Sequence, residues 1–258
     1  MIGQQAFIER SVSKKHSLNI NNIQTSVVYE QFYPIKAVAD HTLCLSSNYA
    51  KNFNEAGINN KGTAVFIGTL KYLSSTPISS DNNESLKSIL YATQPYEPSL
   101  SYELLSELSC WLNTHMQSVT LRVRLHPRDD ISNYVLLKNV EIVSNTETIS
   151  ESIKNSSLVL TRTSSVVLDA VGYKIPYIIC KLSNFDFKVD LPYLKIPELS
   201  VFNCQELISK VSQFNELSRS YKEIILQQEN ESKELAPTAD ESIQCFLDLF
   251  ETKGINIE

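Results

Sequence analysis

From about residue 63 onward, short β-branched runs alternate with stretches whose apolar residues recur every three or four positions. This is the pattern of parallel strands joined by crossover helices. The runs are TAVFIG (63–68), SILYATQ (88–94), VTLRVRL (119–125), VEIVS (140–144), SLVLTR (157–162) and PYIIC (176–180). Several are almost continuously apolar, as strands buried on both faces are. Between them, LSYELLSELSCWLNTHM (100–116) places Leu104, Leu105, Leu108, Trp111 and Leu112 at helical spacing. Two shorter helices are predicted near 130–137 and 147–154, and another over SSVVLDAVGY (164–173), where Gly172 suits a left-handed C-terminal cap. The tail, 203–250, reads as helical apart from a break at Ala236–Pro237–Thr238, with Pro237 starting the last helix. The expected fold class is α/β, a Rossmann-like parallel sheet flanked by helices.

The first 60 residues read differently. Residues 34–58 suggest helix, short strand and helix, whereas 1–25 are polar with weak periodicity. Segment 72–86, rich in Ser and Asn, reads as a surface loop. No internal repeat is apparent.

Composition narrows the function classes. With 258 residues, 42% hydrophobic and 20% charged, the chain has the balance of a soluble globular protein. Its 23 basic and 29 acidic side chains leave a net charge of −6, which argues against a broad nucleic-acid footprint. Any bound anion must be held by a few local groups. The five cysteines are odd in number and contain no C-x-x-C pair, which argues against a disulfide framework and a zinc site and fits a reducing cytoplasm. The N-terminal residues lack the apolar stretch of a secretory signal, and no run of about 18 apolar residues occurs. A cytoplasmic location is expected, with peripheral association at the inner face of a membrane left open.

Open α/β sheets bind ligands at the carboxyl ends of their strands, so the informative residues lie where each run stops. ATQPYEP (92–98) offers Gln94 and Tyr96 on a proline-shaped loop. RLHPRDD (124–130) delivers His126 just before Pro127, which restrains the histidine to extended geometry. An imidazole there can donate to a phosphate oxygen, with Arg124 or Arg128 adding a charge-assisted contact. The competing reading is a histidine satisfied by a backbone carbonyl, with surface arginines. LTRTSSVVLDAVG (160–172) runs from strand through two serines straight into a helix. Ser164, Ser165 and the first backbone N–H groups would make a small phosphate cradle. The alternative is an ordinary N-cap, with Thr163 or Ser164 merely closing the helix. The pattern places both features on one edge of one parallel sheet.

These residues resemble the motifs of the nucleotide-binding half of GT-B glycosyltransferases, in particular bacterial sialyltransferases and polysialyltransferases that use CMP-activated sugars. His126–Pro127 matches their HP motif, Ser164–Ser165 their serine-serine motif, and Gln94–Pro95 their TQP segment. Related motifs occur in capsule Kdo transferases and in glycerophosphotransferases that build teichoic acids. The resemblance covers about residues 37–250. It implies a catalytic role for His126 and a donor site including Gln94, Pro127, Arg128, Thr163, Ser164 and Ser165. A carboxylate after the fourth strand would meet the ribose, with Glu151 or Glu147 as candidates; each also suits a solvated helix charge.

Such enzymes normally use two Rossmann-like domains, with the catalytic base on the N-terminal one. The expectation is therefore that residues 1–62 are a remnant of the acceptor-side domain and hinge, that 63–258 form the nucleotide-sugar domain, and that the chain starts inside a longer ancestral enzyme. The partners implied are a nucleotide sugar, CMP-linked by preference, and a glycan acceptor; the oligomeric state is open. No isolated D-x-D occurs, and Asp129–Asp130 reads as a helix N-terminus, so neither metal nor cofactor is expected. Three functions compete: transfer of a sialic-acid-like sugar from a CMP donor to a surface glycan, a non-catalytic nucleotide-binding or assembly module, and a teichoic-acid-type glycerophosphotransferase.

Overall fold

Buried apolar runs build the larger of two parallel sheets. The computed structural model describes residues 21–23, 41–44, 50–51, 54–55, 63–66, 85–144, 146–188 and 192–232. The chain divides into two compact units, Met1–Ser75 with Glu229–Glu258, and Thr76–Gln228.

The first unit contains a three-stranded parallel sheet of β1 (Asn21–Ile23), β2 (His41–Cys44) and β3 (Thr63–Phe66), in that order. β3 corresponds to the run expected to open the larger sheet, yet it pairs with β2, His41 opposite Thr63 and Cys44 opposite Phe66. A four-residue apolar run specifies a strand without specifying its neighbour. Cys44 is buried, and burial pushes its thiol up to about 12.

The second unit holds six parallel strands. These are β4 (Ser88–Ala92), β5 (Thr120–Arg124), β6 (Val140–Ile142), β7 (Leu158–Thr161), β8 (Tyr177–Cys180) and β9 (Ser200–Val201). Their spatial order is β6-β5-β4-β7-β8-β9. Counted from β4 this is 3-2-1-4-5-6, the doubly wound order of a Rossmann-like sheet. All four residues of β7 and of β8 are buried, which explains why their sequences show no polar alternation.

Five α-helices lie among the described residues: α1 (Pro98–His115), α2 (Ile149–Lys154), α3 (Val166–Gly172), α4 (Cys204–Ser212) and α5 (Phe214–Ser232). α1 starts with Pro98, whose missing N–H costs nothing in a first turn, and buries Leu104, Leu105, Leu108 and Leu112. Trp111 lies beside that stripe, stacked on His115 at 5.1 Å.

The helix expected over 130–137 is reduced to one 3-10 turn, Ile131–Asn133. Asp130 accepts from the Ser132 N–H and Asp129 from Asn133 and Tyr134, so short polar side chains hold the local chain in a turn. Gly172 ends α3 within the helix, and the left-handed conformation falls to Lys174, with φ 57°. β9 was not expected, because two residues carry no readable period. The break at Pro237 and the helix after it lie outside the described residues. No helix among the described residues is long and apolar enough to cross a membrane.

Candidate functional site

All six strands of the larger sheet are parallel, so the ends of β4, β5, β7 and β8 open onto one rim. His126 follows the end of β5 by two residues, and Ser164 and Ser165 follow β7 by three and four. β4 lies between those two strands. The order reverses between β4 and β7, the topological switch point at which open α/β sheets place their ligands.

Short polar contacts fix the histidine. Its backbone N–H donates to the Thr93 hydroxyl at the end of β4 (2.9 Å). Its Nδ1 accepts from the Arg128 N–H at 3.1 Å, so the neutral ring carries its proton on Nε2. Partial burial foremost, and then the charge of Arg128, lower its pKa against the opposing pull of Asp129. The outcome is a neutral imidazole with one N–H available. Pro127 and Arg128 are exposed, and the Arg128 guanidinium has no ion-pair partner among the described residues.

Ser164 and Ser165 are half-buried. Ser164 Oγ accepts from the Val166 N–H at 3.3 Å, a weak local turn bond. Ser165 occupies the N-cap position of α3 without a side-chain capping bond. Ser164 thus makes the local closing bond of the competing reading, while its O–H and the Ser165 hydroxyl remain able to donate. Gln94 is 7% exposed, and its amide makes no hydrogen bond among the described residues.

Other candidates are engaged elsewhere. Thr163 is buried, and its hydroxyl pairs with that of Tyr96. Arg124 donates through Nη1 to the Glu147 carbonyl (2.6 Å) and to Ser152 (3.0 Å), which ties it to the start of α2, whereas Arg128 makes no side-chain hydrogen bond among the described residues. Glu147 accepts from Arg122 at 2.8 Å. Glu151 closes a reciprocal capping box with Thr148, accepting from its N–H and its hydroxyl at 2.7 Å each. Those bonds hold its carboxyl below the usual carboxylate range. Asp129 and Asp130 stabilise the turn after β5, and no cluster of three or more metal-ligating side chains occurs among the described residues.

The main polar network on the rim was not foreseen. Arg162, directly after β7, is wholly buried. Its Nε donates to both carboxylate oxygens of Asp186 (3.1 and 3.0 Å), Nη2 to Glu97 (2.6 Å) and Ser183 (3.0 Å), and Nη1 to the Tyr96 carbonyl (3.2 Å). The guanidinium lies 4.6 Å from the centre of the Tyr96 ring. Asp186 also accepts from the Leu182 and Ser183 N–H groups. One cation thereby joins the loops after β4, β7 and β8. It also offsets the left-handed conformation of Glu97 (φ 45°) and, through its hydrogen bond first, lowers that carboxyl's pKa. The available signal was an arginine ending a buried strand, which requires a partner; the sequence does not show that the partner lies 24 residues later.

No family model matches the chain, and no curated protein does. Solved structures do. A variant of the wall teichoic acid polymerase TagF soaked with CDPG is 17% identical, with TM-score 0.59 over 83% of this chain and 58% of that one. A complex of MnaA from S. aureus with UDP is 12% identical, with TM-score 0.61 over 96% of this chain and 73% of that one. The GtfA/B complex gives 9% and 0.52, over 94% and 54%. The shared property is the fold, the Rossmann-like α/β architecture of GT-B proteins. This chain spans about six-tenths of the TagF chain.

Proposed function

We propose that the unit Thr76–Gln228 is the nucleotide-binding half of a GT-B transferase whose donor is activated by a cytidine nucleotide, and that CMP is the departing group. The carrying observation is the pair of open donor sets flanking β4: the Nε2–H of His126 on one side, Ser164 and Ser165 on the other. Neighbouring strands are about 4.8 Å apart, so the ends of β5 and β7 are separated by about 10 Å. One phosphate group with a hydrogen bond of about 2.8 Å on either side suits that gap once two side chains reach inward.

In this reading His126 donates to the phosphate and Arg128 adds charge from the exposed side. The hydroxyls of Ser164 and Ser165 hold the remaining oxygens, and Gln94 faces the sugar phosphate. As the bond to the donor group breaks, negative charge accumulates on the phosphate. Donors already fixed there stabilise that state more than the bound substrate. Thr163 acts by supporting Tyr96, and Glu151 as a helix cap. The unit Met1–Ser75 with Glu229–Glu258 is read as the rest of the acceptor-side domain, with its boundary after β3 because β3 pairs with β2.

The preferred donor is a CMP-linked, sialic-acid-like sugar destined for a glycan. The likeness to TagF favours a second reading, a CDP-glycerol-dependent glycerophosphotransferase, from which CMP also departs. Thermal shift separates these from other nucleotide classes. CMP should raise the melting temperature more than UDP or GDP, since a ligand that binds only the folded state stabilises it. No shift with any nucleotide at millimolar concentration would overturn the proposal, and consumption of CDP-glycerol but not CMP-sialic acid would select the second donor.

A further inference from the structure

The turn that carries His126 is held by side chains that make none of the proposed donor contacts. The His126 N–H donates to the Thr93 hydroxyl at 2.9 Å, and its carbonyl accepts from the Asp129 N–H at 2.8 Å. Thr93 is buried just after β4, so both polar groups of the histidine backbone are tied down. Among the described residues the charges acting on the imidazole are Arg128 and Asp129, both in its own turn, while the neighbouring β4 end contributes the neutral Thr93 hydroxyl.

Asp129 is next in sequence to Arg128 and three residues from His126, within reach of either. A carboxylate without other partners would accept a proton from Nδ1–H or pair with the guanidinium. It does neither. Its Oδ1 accepts from the Asn133 side-chain amide (3.2 Å) and the Asp130 N–H (3.0 Å), and its Oδ2 accepts from the Tyr134 hydroxyl (3.0 Å). The imidazole Nδ1 accepts instead from the Arg128 N–H, and the Arg128 guanidinium makes no ion pair among the described residues.

Tyr134 is 1% exposed, in a turn whose Ile131, Val135 and Leu136 all face solvent, so packing of its ring fixes where the hydroxyl lies. Burial, and then the charge of Asp129, raise its pKa, which keeps the phenol a proton donor wherever a histidine titrates. The Thr93 hydroxyl that holds the His126 N–H also acts on this phenol. A phenylalanine would fill the same space, so the hydroxyl is used for what it holds. We propose that Tyr134 is a positioning residue: by holding the Asp129 carboxylate it keeps that acid off the imidazole and off Arg128, so that His126 presents Nε2–H and the guanidinium stays uncompensated for an anion. That the anion is a nucleotide phosphate rests on the transferase reading above; the tautomer and the unpaired guanidinium follow from the hydrogen bonds of this turn.

Imidazole nitrogen NMR of the isotopically labelled full chain, with CMP calorimetry in parallel, tests this. In the wild-type chain neutral His126 should carry its proton on Nε2. Tyr134→Phe should move the proton towards Nδ1 and raise the His126 titration midpoint by about one pH unit, because the released carboxylate approaches the ring. It should also weaken CMP binding about tenfold, as Arg128 gains an internal partner. Adding Asp129→Asn to Tyr134→Phe removes the charge, and should return the midpoint to its wild-type value or below and restore CMP affinity. A loss of packing alone would not be repaired by that second substitution. Asn133→Ala, at a half-buried position of the same turn, should move the midpoint in the same direction and carries the test if Tyr134→Phe unfolds. An unchanged tautomer and midpoint in the folded variants, or a defect that Asp129→Asn does not repair, would overturn the role. A responsive midpoint in a chain that does not bind CMP would leave the positioning role standing and remove the donor reading; CMP binding with an unmoved midpoint would do the reverse.

Discussion

Two stretches of the same rim handle their polar groups in opposite ways. Around Arg162 the guanidinium meets Asp186, Glu97, Ser183 and two backbone carbonyls within a few ångströms, and nothing on it is left for a ligand. Around His126 the ring has one fixed nitrogen and one N–H to offer, Ser165 caps nothing, and Gln94 is buried without a hydrogen bond among the described residues. His126, Ser164 and Ser165 are only half-buried, so their spare donors are accessible to a ligand, whereas those of Arg162 are not. The closed network builds the rim, and the open set is where the proposed nucleotide would complete its hydrogen bonding.

The largest expected effect lies in the closed network. Arg162→Met should cost about 3–5 kcal/mol, because Asp186 would remain buried without its counter-charge. Chemical denaturation with a two-state fit measures it. A loss below about 1 kcal/mol would show that the network is dispensable and would erase the contrast.

Next comes the open set. Ser164→Ala combined with Ser165→Ala should lower CMP affinity about tenfold or more and change stability by less than about 1 kcal/mol, as expected for side chains that make almost no internal bonds. His126→Ala should reduce turnover more than stability. Unchanged CMP affinity in the double serine variant would place the phosphate elsewhere.

The smallest effect separates a cap from a ligand. Glu151→Ala should remove half of a capping box, lowering the melting temperature slightly, and leave CMP affinity unchanged. A tenfold loss of affinity would instead return Glu151 to the ribose.

The contrast also explains which features were readable in advance. The strand runs at 88–94, 157–162 and 176–180 were legible because a strand buried on both faces is largely apolar, and 119–125 because Leu121 and Val123 alternate with arginines; each contains a strand of the larger sheet. β3 was legible as a strand but not as a partner of β2, because pairing depends on residues distant in sequence. His126 and the two serines were legible because they sit where apolar runs stop. The Arg162 network was not, since its bonds join positions 97, 162, 183 and 186, and neither spacing nor period encodes such a meeting. Thr163 and Glu151 have the right chemistry for a ligand, but the protein's own hydrogen bonds already employ them.

Protonation gives an independent handle. In the free chain His126 should titrate below the ordinary histidine value of about 6.5, since burial and Arg128 favour the neutral ring. Its folded pKa being depressed, His126 contributes stability that is present above the unfolded value and lost as pH falls through the folded one. A bound phosphate favours the charged ring, so CMP should move the midpoint upward. An unmoved midpoint at saturating CMP would separate His126 from the phosphate.

The most direct measurement is a CMP titration of the isotopically labelled chain followed by NMR at the His126 side chain and at the amides of Ser164 and Ser165. All three should shift together and saturate at one common concentration, while the Glu151 amide stays still. Movement at the serines with a stationary His126, or the reverse, would contradict a shared phosphate held from both sides of β4.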